Sequence, residues 1–97
     1  MPQFILLCRD KPDSLALRMD TRPAHLEYFQ KSENKLLLAG PLLSETGDPV
    51  GSLIIVEAAD EAAARVIAAN DPYAMAGLFA ETQIKPFKTV IENYSKG

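Results

Sequence analysis

The run QFILLCR, residues 3–9, decides how this chain folds. Phe4-Ile5-Leu6-Leu7 is apolar at successive positions and is followed by the turn signal DKPDS, so the run reads as a strand. A strand with one face in water alternates apolar and polar residues, whereas a strand covered on both faces reads as a continuous apolar run. Leu36-Leu37-Leu38-Ala39 within KLLLAGPLL (35–43) and Leu53-Ile54-Ile55-Val56 within SLIIVEA (52–58) have the same unbroken pattern. Three central strands are therefore expected to be covered from both sides.

The pieces between them read as helices. PDSLALRMDTR (12–22) starts with Asp13 or Ser14 as N-cap and spaces Leu15 and Met19 four apart. RPAHLEYFQKSEN (22–34) reads as a second helix started by Pro23, with Leu26 and Phe29 on its buried stripe. DEAAARVIAAND (60–71) has Asp60 as N-cap and Glu61 in its first turn. PYAMAGL is a short proline-started turn, and FAETQIKPF (79–87) is a half-exposed strand whose tail KTVIENY either extends it or packs on its edge. The order strand, helices, strand, strand, helix, strand is that of an α+β, ferredoxin-like βαβ-βαβ two-layer sandwich. It predicts a four-stranded antiparallel sheet with helices on one face. The helices cover only that face, so the other is expected to meet a second copy of the chain in a homodimer.

The 97 residues make one domain, 1–97, with 47% apolar residues and a formal charge of −3. That balance argues against a nucleic-acid binder, which needs a basic footprint. Arg9, Lys11, Arg18 and Arg22 nevertheless fall close together, either as solvated charge or as an electropositive rim for a small anionic molecule. No stretch is long enough to span a membrane. The apolar stretch before Cys8 is too short, and lacks the basic lead, for a lipoprotein signal. Cys8 is the single cysteine, so no intrachain disulfide forms, which suits a cytoplasmic protein. Within its strand it reads as a small buried hydrophobe.

One histidine is present, in TRPAHLEYF (21–29). His25 falls at the edge of the buried stripe and admits two readings: a core-edge side chain with one hydrogen bond, or a general base. Near the start of its helix it would feel the positive end of the dipole and stay mostly neutral. Asp71, in NDPYAMAG (70–77), stands where the dipole of the preceding helix disfavours a carboxylate. It either caps the turn begun by Pro72 or is compensated by His25 from across the fold. No His/Cys metal cluster or glycine-rich phosphate loop occurs, so no metal or cofactor is expected. Ser14, Ser44, Ser52 and Ser95 lack a nucleophile's surroundings, and Met19 and Met75 read as core filler.

RPAHL, AGP, DPY-x-x-AG and PFK, in this order between Phe4 and Lys88, make the chain resemble the YciI-like family of YCII-related domains. The resemblance implies a ferredoxin-like fold that dimerises through its sheets into an α/β-barrel-like assembly. It also implies an active site built on a histidine and an aspartate, here His25 and Asp71, with Arg18, Arg22, Ser14 and Tyr73 around the same pocket. On that basis Asp71 would set the tautomer of His25, and His25 would move a proton in an isomerisation or elimination on a small anion held by Arg18 and Arg22. The alternative is a non-catalytic dimeric module that binds a small ligand or serves as an accessory subunit.

Overall fold

The computed structural model describes residues 1–31, 33 and 35–94. Ser95 lies outside the described residues, as do Ser32 and Asn34 at the end of the second expected helix. The elements run β1 (Gln3–Asp10), α1 (Leu15–Gln30), β2 (Leu36–Leu43), β3 (Pro49–Glu57), α2 (Glu61–Ala69), α3 (Pro72–Met75) and β4 (Phe79–Phe87). The strands form one antiparallel sheet in the order β2-β3-β1-β4, with the helices on one face, as the sequence predicts.

Alternation decides what faces the helices. Phe4, Leu6, Cys8 and Asp10 of β1 are buried, and so are Ser52, Ile54 and Val56 of β3. Phe29 of α1 and Ala64 and Ala68 of α2 close over the apolar members of this set. Each large apolar side chain fully removed from water contributes roughly 1.5–3 kcal/mol. Gly51 pairs with Arg9, and a Cβ there would collide with the carbonyl oxygen of Cys8. Only glycine allows β3 so close to β1, which sets the position of the next residue, Ser52. On the other side of β1 the register slips between Arg9 and Asp10, leaving Ala80 of β4 as the extra residue of a bulge.

The two expected helices of 12–34 are one. α1 runs unbroken through Pro23, from Leu15 to Gln30. An interior proline removes a helical hydrogen bond and costs about 3 kcal/mol or more. Both halves of α1 are anchored by tertiary contacts, through Arg18 on one side and His25 and Phe29 on the other, and these outweigh the break. His25 is consequently mid-helix, away from the positive dipole end expected beside it. Leu26 is 38% exposed, so the inward stripe is Arg18, His25 and Phe29, not Leu26 and Phe29. Met19 and Met75 are exposed rather than core filler. The tail after Phe87 does not extend β4; Thr89 bonds the side chain of Gln3, and Val90, Ile91 and Tyr94 stand in solvent. Among the described residues no helix is long and apolar enough to cross a membrane.

Candidate active site

α1, the capped start of α3, and the strands β1 and β3 together build one polar cluster. Pro72 starts α3 immediately after α2, and Asp71 caps it: its Oδ1 accepts a hydrogen bond from the backbone N–H of Tyr73 at 2.9 Å. The same oxygen lies 2.9 Å from Nδ1 of His25. The two compensations open to Asp71 thus operate together. Asp71 is 2% exposed and His25 7% exposed. A carboxylate oxygen accepts hydrogen bonds, so Nδ1 of His25 is the donor in this contact and Nε2 is the ring nitrogen left outside it. Among the described residues Nε2 has no hydrogen-bond partner, yet no buried nitrogen is left unsatisfied. Nε2 therefore reaches open space, which the cavity beside His25 provides.

That cavity measures about 320 Å³ and lies between α1 and the β2–β3 side of the sheet. Arg18, Arg22, His25, Ser52 and Tyr73 supply its polar lining, and Met19, Leu26, Ala39, Pro41, Pro49 and Ile54 most of its apolar wall. Four of the expected site residues besides the aspartate thus meet here. Ser14 does not: it opens α1, bonds the carbonyl of Pro12, and lines a separate groove with Arg9 and Lys11. The expected cluster of four cations is split accordingly.

The two arginines differ. Arg18 is 4% exposed and donates from Nε and Nη2 to both carboxylate oxygens of Asp10, at 2.6 and 2.9 Å, and from Nη2 to Ser52 Oγ at 2.9 Å. Burial opposes its charge, but the hydrogen bonds and attraction of Asp10 outweigh burial and raise its pKa above the ordinary value. Its charge is neutralised within the protein. Arg22 is exposed at the cavity and makes no hydrogen bond or ion pair among the described residues. An anion entering the cavity would therefore meet Arg22 first. Burial also raises the pKa of the Tyr73 phenol, keeping it protonated despite the pull of Arg18 and Arg22. Cys8 is pushed up to about 11 by burial, the pattern of an inert thiol.

Asp10 and Ser52 join this cluster in addition to the residues expected from the sequence. Asp10 continues the buried phase of Phe4, Leu6 and Cys8, so a carboxylate in register with a core face was the available signal. Ser52 likewise continues the buried phase of Ile54 and Val56, but a small hydroxyl in a core face does not by itself point to an arginine from another element.

The YCII-related domain model matches residues 2–88. Protein YciI of Escherichia coli is 39% identical over 95 residues, covering 90% of this chain and 97% of that protein. An uncharacterized protein of Haemophilus influenzae is 36% identical over 96 residues, covering 90% and 97%. Among solved structures, the 5-chloro-2-hydroxyhydroquinone dehydrochlorinase TftG of Burkholderia phenoliruptrix, in complex with 2,5-dihydroxybenzoquinone, superposes with a TM-score of 0.82 at 36% identity. That match covers 89% of this chain and 93% of TftG. An antibiotic biosynthesis monooxygenase shares the fold at a TM-score of 0.58 and 15% identity, covering 94% of this chain and 100% of that one.

Proposed function

The chain belongs to the family of YCII-related domains, and from that premise we propose that it is an acid–base enzyme acting on a small anionic molecule. The observation that carries this reading is the 2.9 Å contact of His25 Nδ1 with Asp71, which leaves Nε2 free beside a cavity. In the proposed reaction the Nε2 lone pair takes a proton from the substrate. Asp71 holds the required tautomer and stabilises the imidazolium that forms. The released electron pair either expels a leaving group or shifts a double bond, after which His25 returns the proton to product or solvent. Elimination is favoured over isomerisation by the likeness to TftG, which is named as a dehydrochlorinase. Arg22 binds the anion at the rim while the apolar wall holds the carbon frame.

The test uses compounds named for that neighbour. Chloride release from 5-chloro-2-hydroxyhydroquinone, and exchange of substrate protons for deuterium across a panel of small carboxylates, are compared in wild type and His25→Ala. A loss of at least about 100-fold, with binding of 2,5-dihydroxybenzoquinone retained, is expected. Equal rates in the two proteins would remove the base role. Binding without turnover in either protein would favour the non-catalytic module.

We propose, further, that a second copy covers the bare sheet face. Ile5, Leu7, Leu38, Leu53 and Ile55 remain only partly covered in the single chain. A gap between this face and the exposed apolar tail is lined by Leu38, Ile55, Phe87, Ile91 and Tyr94. Sedimentation at about twice the 10.6 kDa chain mass is expected, and a monomer at micromolar concentration would reject the pairing. The free, buried Cys8 supports a reducing, cytoplasmic setting.

A further inference from the structure

A single hydrogen bond to Asp71 fixes one edge of the His25 imidazole but not its plane. Two rings touch the imidazole: Tyr73 stacks on its face with centroids 4.0 Å apart and planes 19° apart, and Phe29 meets it edge-on at 5.2 Å. The Arg18 guanidinium carbon also lies over the Tyr73 ring, 4.6 Å from its centre. Arg18 and His25 leave α1 seven residues apart, roughly 10.5 Å along the axis. The Tyr73 ring spans the space between the two side chains. Arg18 is itself held by the two-point contact with Asp10 and by Ser52, so this end of the stack is rigid. Phe79, next to the extra residue of the β4 bulge, meets Tyr73 edge-on at 5.9 Å.

We propose that Tyr73 is the positioning residue of this site: its backbone N–H orients the Asp71 carboxylate, and its ring, braced by Arg18, locks the His25 imidazole with Nδ1 on Asp71 and Nε2 on the cavity. One residue thus aligns both members of the dyad. The Asp71-Pro72-Tyr73 order makes this possible, because Pro72 opens α3 and places the capped N–H and the stacking ring on the same residue. The Asp10–Arg18 pair, which touches neither reacting nitrogen, acts as the buttress of that ring. The inference rests on the dyad reading given above and adds to it what keeps the base aimed.

His25 is the only histidine of the chain, so its two ring nitrogens can be observed without assignment of the rest. Long-range proton–nitrogen spectra of the full chain, with no ligand added, report which nitrogen carries the proton. The wild type is expected to show one tautomer, protonated at Nδ1. Tyr73→Phe keeps the ring and should keep that signature. Tyr73→Leu keeps the backbone cap but removes the ring, and should lose the single-tautomer signature, with the proton shared onto Nε2. A wild-type spectrum for a folded Tyr73→Leu protein would overturn the proposal. Should that variant not fold, Arg18→Lys retains the charge and removes the planar brace; it should show a partial loss, and an unchanged spectrum would equally overturn the proposal. Asp71→Asn tests the underlying dyad separately. Loss of the Nδ1–H tautomer there is expected whatever Tyr73 does, and a wild-type spectrum would sink the dyad and this inference with it.

Discussion

α1 and α2 lie on the same face of the same sheet, yet they bury opposite kinds of side chain. α2 turns Ala64 and Ala68 inward, with Ala63 and Ile67 half-covered beside them, and sends Arg65 and Glu61 out to pair in solvent. α1 turns Arg18 and His25 inward with Phe29, and leaves Leu15, Leu17, Met19 and Leu26 substantially exposed. A helix built only for stability would bury those leucines. The polar interior of α1 is tolerated because every buried group has a partner: Asp10 and Ser52 for Arg18, Asp71 for His25. Of the two packing solutions, α2 buries an apolar stripe and α1 a polar one that borders the cavity.

The sharpest way to break this contrast is Arg18→Met. It leaves Asp10 charged and unpartnered within the fold, and a loss of about 3–5 kcal/mol in unfolding free energy is expected from denaturant titration. Replacing the pair together, Asp10→Leu with Arg18→Met, should recover most of that loss, since a buried ion pair is often no more stable than apolar residues of similar volume. Failure of the double variant to recover would mean that the pair is needed for folding and not only for the site. On α2 the corresponding challenge is steric. Ala64 is fully buried, and Ala64→Leu should cost about 1–3 kcal/mol by overpacking, with no change in the His25 tautomer.

The smallest effect concerns a group that the interior keeps neutral. An unfolded thiol ionises at roughly 8.5, whereas burial holds Cys8 to about 11. The folded protein keeps the proton longer, so stability from this group is intact below the unfolded pKa and falls as the pH rises through the window up to about 11. Tyr28 and Tyr73 are raised by burial and act in the same direction. Unfolding free energy measured across this range should decline more steeply with pH in the wild type than in Cys8→Ala.

The same contrast explains what was legible in the sequence. The strands were readable because their apolar runs and turns are local signals, and α2 because Asp60 and its alanines follow ordinary helix rules, the cap accepting from the N–H of Ala63. Local signals divide α1 into two helices because Pro23 looks like a start. Nothing local to residues 15–30 shows that Asp10, Ser52 and Asp71, contributed by other elements, hold it together. His25 and Asp71 were legible as candidates through the motif resemblance, but spacing alone could not bring together residues 46 apart. Arg18 was expected to bind an outside anion. Its capture by Asp10 became visible only once the strand alternation placed that carboxylate on the helix face.

Pro23 also has a consequence for how α1 moves. The helical rung that its missing N–H would have donated to the carbonyl of Met19 is absent, so the ladder is thinnest between Arg18 and His25. A twist imposed on the first half is passed less faithfully to the second. A shift of the cavity wall near Met19 can then leave the buried contact of His25 with Asp71 in place, so the two halves of α1 need not move as one.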